Sequence, residues 1–352
     1  LKRVTDDFGE VVKLTIIKVI VPGLPLYIMT MICELTASGK LATMAGTLFK
    51  VIGTGWVLTV TFLVILYTVA GIIAKRNPFK LLLFVSFFPQ IIQGPISIYD
   101  QLAHQLYEPH NFEFTRFKHG MELILWGFFK KLVIADRAYI AIKAVLNDYH
   151  GFGGTMLTFT ILLYALQLYA DFSGGIDISR GVSQILGIDM IQNFRRPYFS
   201  RTIDEYWRRW HITLGAWFRD YVFYPLSLSK FFSRLGKRCR KLLGNYIGKL
   251  IPVLIPQFII FFLIGIWHGA EWKYIVFGCY NGTLIVLGIL FEQPLQKLVK
   301  KLGIRTDCIS WRIFQVLRTL MLVAIGKIIT RAPGVSAAKY MILSMVQNWD
   351  MK

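Results

Sequence analysis

Residues 55–73, GWVLTVTFLVILYTVAGII, run for 19 positions without a charge. At about 1.5 Å rise per residue, such a run as a helix matches the roughly 30 Å hydrocarbon core of a bilayer. Lipid offers no water to backbone N–H and C=O groups, so a spanning segment of this kind must bond to itself as a helix. The rest of the chain agrees. It is 55% hydrophobic and 17% charged, against about 25% charged in soluble domains, and its mean hydropathy is +0.52. Further apolar runs lie at 11–31, 44–74, 121–146, 154–170, 250–268, 273–291 and 313–330, with weaker ones at 81–99, 182–192 and 335–347. The pattern predicts an all-α integral membrane protein of about eight to ten membrane helices, some kinked. No repeat and no low-complexity tract divides it, so 1–352 reads as one membrane domain.

Charge gives the chain a direction. Its net charge is +20, from 40 Lys and Arg against 20 Asp and Glu. On a soluble protein that would point to nucleic acid. Here the charges sit between apolar runs, where Lys and Arg hold loops on the cytoplasmic side. Membrane lipids with anionic headgroups are therefore the expected partners, and nucleic acid is not. The stretch 230–249 holds seven Lys or Arg and no acid, and 297–305 is basic again. With both cytoplasmic, the chain crosses outward along 250–268 and returns along 273–291. The intervening turn, 267–272, then lies deep in the membrane or toward its outer face. No cleavable signal peptide is visible, and the chain opens on Leu1, as a fragment would.

Two segments break the pattern of plain spans. The run 81–99, LLLFVSFFPQIIQGPISIY, is interrupted by Pro89, Gly94 and Pro95. It reads either as a re-entrant element near a cavity or as a Pro-kinked span. The segment 193–226, NFRRPYFSRTIDEYWRRWHITLGAWFRDYVFYPL, alternates charge and aromatics too densely to span. Pro197 and Thr202 mark a helix start, with Asp204 and Glu205 in its first turn. An amphipathic interfacial helix is expected, with Asp204, Arg208 and His211 on one face and Trp207 and Trp210 near it.

The chemistry concentrates on histidine. His104, His110, His119 and His150 lie in polar surroundings and read as solvated loop residues. His211 and His268 each follow a tryptophan within apolar or aromatic sequence. Ionisable groups in membrane segments are costly and face a bundle interior or a water-filled path. His268, in IWHGAEW (266–272), is the leading candidate, because histidine takes and returns a proton near neutral pH. Such a base can deprotonate a hydroxyl that then attacks an acyl carbonyl. A second polar cluster, Asp171, Ser173 and Asp177, follows the run 154–170 at an expected membrane boundary. On the residues alone it either orients a histidine, binds a cation, or caps a helix. The chain lacks a GxSxG elbow, a P-loop, a dinucleotide fingerprint and HExxH. The four cysteines, Cys33, Cys239, Cys279 and Cys308, have no CxxC spacing and read as packing residues. No metal is expected. Asn281-Gly282-Thr283 matches a glycosylation sequon but lies inside an apolar run.

These segments, in order, resemble the membrane-bound O-acyltransferase family. They are NPFKLLLFVSFFPQIIQGPI (77–96), GFFKKLVIAD (127–136), LQLYADFSGGIDISRG (166–181), 193–226, IGIWHGAEWKYIVFGCYNG (264–282) and RAPGVSAAKYMI (331–342). The likeness is strongest to the bacterial branch that serves alginate O-acetylation and teichoic acid D-alanylation. It covers 77–342 and leaves 1–76 as divergent or truncated spans. The resemblance implies a bundle around a central tunnel and an acyl group carried from a cytoplasmic thioester, acetyl-CoA or an acyl-carrier protein. The acceptor would be a hydroxyl on an extracytoplasmic polysaccharide or cell-wall glycan, reached through a periplasmic or extracellular acetyltransferase partner. Acetyl is the expected cargo, D-alanyl the alternative, and the bacterial inner membrane the expected location. His268 would be catalytic and His211 its partner on the cytoplasmic side. Asp171, Ser173, Trp210, Trp267 and Asn281 would support them. One departure stands out: where this branch reads DFSGYSD, Gly175 and Ile176 replace Tyr and Ser. Two readings compete with an acyltransferase: a transporter relaying protons through the two histidines, and a silent scaffold that docks enzymes.

Overall fold

A computed structural model describes residues 77–348 except 92, together with scattered positions between 38 and 69. The expected spans 11–31 and most of 44–74 lie outside these residues; the positions described within 44–74 are helical. The chain divides into two compact units, Leu1–Leu82 and Leu83–Lys352. In the second, the described residues form helices and no strand. The longer helices are α1 (Phe114–Phe128), α2 (Asp136–Asn147), α3 (Gly154–Ile185), α4 (Ile203–Arg209), α5 (Ile212–Phe218), α6 (Lys230–His268), α7 (Trp272–Lys301), α8 (Ile309–Arg331) and α9 (Val335–Gln347). Four of them, α3, α6, α7 and α8, are long and apolar enough to cross a membrane. Large apolar side chains such as Phe159, Phe291 and Ile313 are exposed on their outer faces, as lipid solvation requires.

The expected span at 121–146 is one continuous helical run from α1 to α2, widened by a π-helical stretch at Phe129–Ala135. The widening inserts a residue's worth of rotation and aims both Lys130 and Lys131 at α3. The run 81–99 is broken as expected: short helices at Pro78–Val85, Phe88–Ile91 and Tyr99–Leu102 flank a buried Pro95.

Three expectations are corrected. The run 154–170 does not end near Asp171. Helix α3 continues to Ile185, so Asp171, Ser173 and Asp177 stand within it. Gly174 and Gly175 are close contacts within this helix. A Cβ on Gly174 would meet the Gly127 carbonyl oxygen at 2.8 Å, and one on Gly175 would strike the Gln93 side chain. The basic stretch 230–249 is not a loop. It forms a helical hairpin that turns at Gly244 (φ 86°, ψ 169°). That conformation is left-handed and costs an L side chain roughly 1–2 kcal/mol. The two arms touch, since a Cβ on Gly236 would lie 2.8 Å from the Pro252 ring.

The third correction concerns 193–226. It is not one amphipathic surface helix but two short ones, α4 and α5, broken at Trp210 and His211. Thr202 caps α4 by accepting from Glu205 N at 3.1 Å. Asp204 and Arg208 do share a face and pair at 2.5 Å. His211 leaves that face because its own backbone is left-handed, φ 48°. Ile203, Tyr206, Trp210, Leu214 and Phe218 are buried against Ile260, Phe261 and Ile264 of α6, Ile285 of α7 and Val323 of α8. An aromatic side chain withdraws some 150–250 Å² from solvent, so this much Trp, Tyr and Phe draws the segment inward.

Candidate active site

A short antiparallel crossing sets His211. Arg195 N bonds Arg209 O at 3.0 Å, and Ile212 N bonds Asn193 O at 3.0 Å. Both ends of the crossing turn through left-handed residues, Arg196 (φ 47°) and His211 (φ 48°). Such strain in non-glycine residues collects at functional sites. Beneath it lies Asn193, with no exposed surface. Its Oδ1 accepts from Thr213 N and from Thr213 Oγ1, each at 3.0 Å. Thr213 Oγ1 in turn accepts from Ile96 N at 3.0 Å, which ties in the broken 81–99 element.

Both ends of the Asn193 amide lie within reach of His211 Nδ1, Nδ2 at 3.1 Å and Oδ1 at 3.3 Å. Because Oδ1 already accepts two hydrogen bonds from Thr213, we assign the contact to Nδ2 as donor and Nδ1 as acceptor, which leaves the ring proton on Nε2. His211 therefore presents Nε2–H as a donor rather than a basic nitrogen. Burial, and secondly the nearby His268 ring, lower its pKa from 6.5 to about 4. It stays neutral at physiological pH.

His268 ends α6, and Gly269 makes the turn with φ 154°, where a Cβ would meet the Tyr274 ring at 2.8 Å. The ring of His268 lies among aromatics, 4.9 Å from Trp267, 5.7 Å from Phe277 and 6.1 Å from Tyr274 between centroids. Among the described residues no hydrogen bond reaches its ring nitrogens, and the side chain is exposed. Helices α4 and α5 carry His211 inward, with Trp207 against Phe261 (5.2 Å) and Phe277 (6.3 Å). His211 consequently sits 6.5 Å from the Trp267 ring.

The other candidates divide. Trp267 bridges the two histidines. Trp210 is buried in the aromatic core, 5.0 Å from Phe194. Asn281 is buried and donates to Phe277 O one turn back at 2.9 Å, so it serves its own helix. Asp171 and Ser173 do not reach His268. Asp171 pairs with Lys131 at 2.9 Å, and Ser173 accepts from Lys130 Nζ at 3.0 Å. Lys130 also pairs with Asp177 at 2.5 Å. The physical reason is the π-helical widening, which delivers two ammonium groups to one face of α3.

Three residues escaped the sequence. Asn193 had no motif of its own. Lys130 was one basic residue among many. Lys327 hides in the apolar run 313–330. Lys327 is only 6% exposed, sits 4.2 Å over the Trp210 ring, and lies within electrostatic reach of His268. A lysine inside an apolar run is a signal in itself. Two cavities are lined by neighbours of the two histidines, though by neither ring. An open groove of about 670 Å³ is lined by Glu271, Trp272 and Lys273, just past His268, and by Gly334 and Val335. A second, of about 430 Å³, is lined by Asn193, Arg195, Arg196 and Arg209 beside His211, and by Lys130 and Asp177.

The model of the membrane-bound O-acyltransferase family matches residues 27–237, and the chain belongs to that family. Among curated proteins it is similar to the probable alginate O-acetylase AlgI of Pseudomonas syringae pv. tomato, 32% identical over 79% of this chain and 48% of that one. It is similar also to the peptidoglycan O-acetyltransferase of Helicobacter pylori, 33% identical over 61% of this chain and 38% of that one. The teichoic acid D-alanyltransferase of Bacillus subtilis is 32% identical over 63% of this chain and 55% of that one. The chain spans about half the length of the curated relatives it matches.

Proposed function

We propose that the protein transfers an acyl group, acetyl in the first instance, from a thioester to a hydroxyl of a cell-envelope glycan in a bacterial inner membrane. The observation that carries this reading is the meeting of His211 and His268 across Trp267. In the proposed reaction, His268 takes the proton of the acceptor hydroxyl, and the oxygen attacks the thioester carbonyl carbon. The carbonyl oxygen becomes an oxyanion, which Nε2–H of His211 faces as donor and Lys327 offsets in charge. The C–S bond then breaks, and the leaving sulfur takes the proton from the His268 imidazolium. Six relatives named for O-acetyl transfer against two named for D-alanyl transfer favour acetyl. A glycan-side partner protein and a passage joining the two cavities belong to the same proposal.

The test is envelope acetylation in cells carrying His268→Ala. A loss of at least 10²-fold is expected, with the variant still in the membrane fraction. Near-normal acetylation would sink the reading. A proton-relay transporter would instead show pH-dependent flux and no acetyl ester.

A further inference from the structure

Two lysines are buried among the described residues, Lys130 and Lys327. Asp177 answers the first. The ammonium of Lys327 sits 4.2 Å over the Trp210 ring and makes no hydrogen bond or ion pair among the described residues. The carboxylates of the surrounding helices and turns are committed elsewhere: Asp171 to Lys131, Asp177 to Lys130, Glu205 to Arg209 and Glu271 to Lys273. A cation inside a membrane bundle is costly and marks a place where charge is handled; the indole face offsets part of that cost. Its position is fixed by the packing of α8 on α7. Tyr280 Oη donates to Leu322 O at 2.9 Å. Beside Lys327, a Cβ on Gly326 would lie 3.6 Å from both Phe277 and Asn281. Phe277 packs in turn on His268, with ring centroids 5.7 Å apart. Lys327 thus covers the residue that precedes His211 and lies within electrostatic reach of His268.

We propose that Lys327 selects the acyl cargo by charge, admitting uncharged groups such as acetyl and rejecting aminoacyl groups, which carry an ammonium. The inference rests on the acyltransferase reading and deepens it, since acetyl and D-alanyl thioesters differ by that one charge. In the reaction the thioester carbonyl carbon must reach bonding distance of the oxygen that His268 activates. The amine of an α-aminoacyl group is one carbon from that carbonyl, so it enters the site with it. The side chains around Lys327 and His268 are aromatic, Trp210, Trp267 and Phe277, and screen two like charges poorly. The ammonium that offsets a developing oxyanion therefore repels a second ammonium on the neighbouring carbon. With Asp171, Asp177, Glu205 and Glu271 already paired, none of these carboxylates is free to hold that second ammonium.

The experiment follows acyl esters formed in inverted inner-membrane vesicles that carry the full chain, with propionyl- and glycyl-coenzyme A as probes. These acyl groups are isosteric, with a methyl in one where the other has an amine. At pH 6.5 that amine is mostly protonated, since an α-amino group titrates near about 7.7–8.0. The wild-type chain should transfer propionyl with a kcat/KM about tenfold or more above glycyl. Lys327→Met keeps the length and removes the charge, and should bring the ratio to within about threefold whatever the absolute rate. Lys327→Arg keeps the charge and should keep the wild-type ratio. Each ratio is internal to one variant, so a smaller amount of folded protein leaves it unchanged. Where a variant transfers neither group, the same ratio is read as dissociation constants of the two thioesters in phosphatidylcholine nanodiscs. Equal use of both thioesters by the wild-type chain, or an unchanged ratio in Lys327→Met, would overturn the proposal. So would loss of discrimination in Lys327→Arg, which would assign the selectivity to packing. The two readings fail separately. Absence of any ester from propionyl- or acetyl-coenzyme A counts against the reaction, whereas propionyl transfer without discrimination counts against Lys327.

Discussion

At the scale of residues, the site turns on which nitrogen of His211 carries a proton. Thr213 fixes the Asn193 amide, and the amide fixes the ring. With its pKa held near 4, His211 contributes no titration to the rate between about pH 5 and 8. Asn193→Asp should reverse this. A carboxylate accepts from Nδ1–H, removes the proton from Nε2 in the neutral ring and favours the imidazolium. Transfer should fall by on the order of 10²-fold, the scale of one lost oxyanion donor, and the acid limb of kcat/KM should move upward in pH. An unmoved limb with normal transfer would show that the tautomer is immaterial. His268 was conspicuous in sequence because it ends an apolar run with an ionisable side chain. Asn193 was not, because its importance lies wholly in partners that are 18 and 20 positions away.

Among elements, the joint between the π-widened α1–α2 run and α3 sets the floor of the cationic cavity. Gly127 and Gly174 let the helices approach until each glycine's missing Cβ would fall within 2.8 Å of the other's carbonyl oxygen. Lys130 and Asp177 meet there, largely buried. Removing one partner of a buried pair costs about 3–5 kcal/mol, while removing both is often tolerated. Lys130→Met should therefore lower the melting temperature in detergent, and Lys130→Met with Asp177→Asn should recover most of the loss. Equal loss in single and double variants would contradict the pairing. The sequence showed a helix at 121–146 and another at 154–170, since apolar periodicity is local. It could not show that DFSGGID stays helical, because what keeps it so is a facing helix. The same limit hid the break in 193–226: Trp210 and His211 leave the helix to complete a crossing with 193–196.

For the whole molecule, charge sets an expected orientation, and packing brings the candidate residues together. The basic hairpin at the start of α6 and the turn after His268 stand at the two ends of one long helix. In a chain whose other cysteines are serine, Glu271→Cys should react with a membrane-impermeant maleimide added outside intact cells. Cys239, in the basic hairpin, should react only after permeabilisation. The reverse pattern would invert the topology. The four long helices were legible as apolar runs. Their convergence on Tyr206 and Trp210 was not, because the aromatic segment that enters between them looked like a surface helix.

The central claim is that His211 and His268 serve one chemical step. Acyl transfer by the purified protein, measured for His211→Ala, His268→Ala and the double variant, tests it most directly. Residues acting as a unit are strongly non-additive. The double variant is predicted to be no slower than His268→Ala within about threefold. A double variant whose loss equals the product of the two single losses would place the histidines in independent roles and contradict the account.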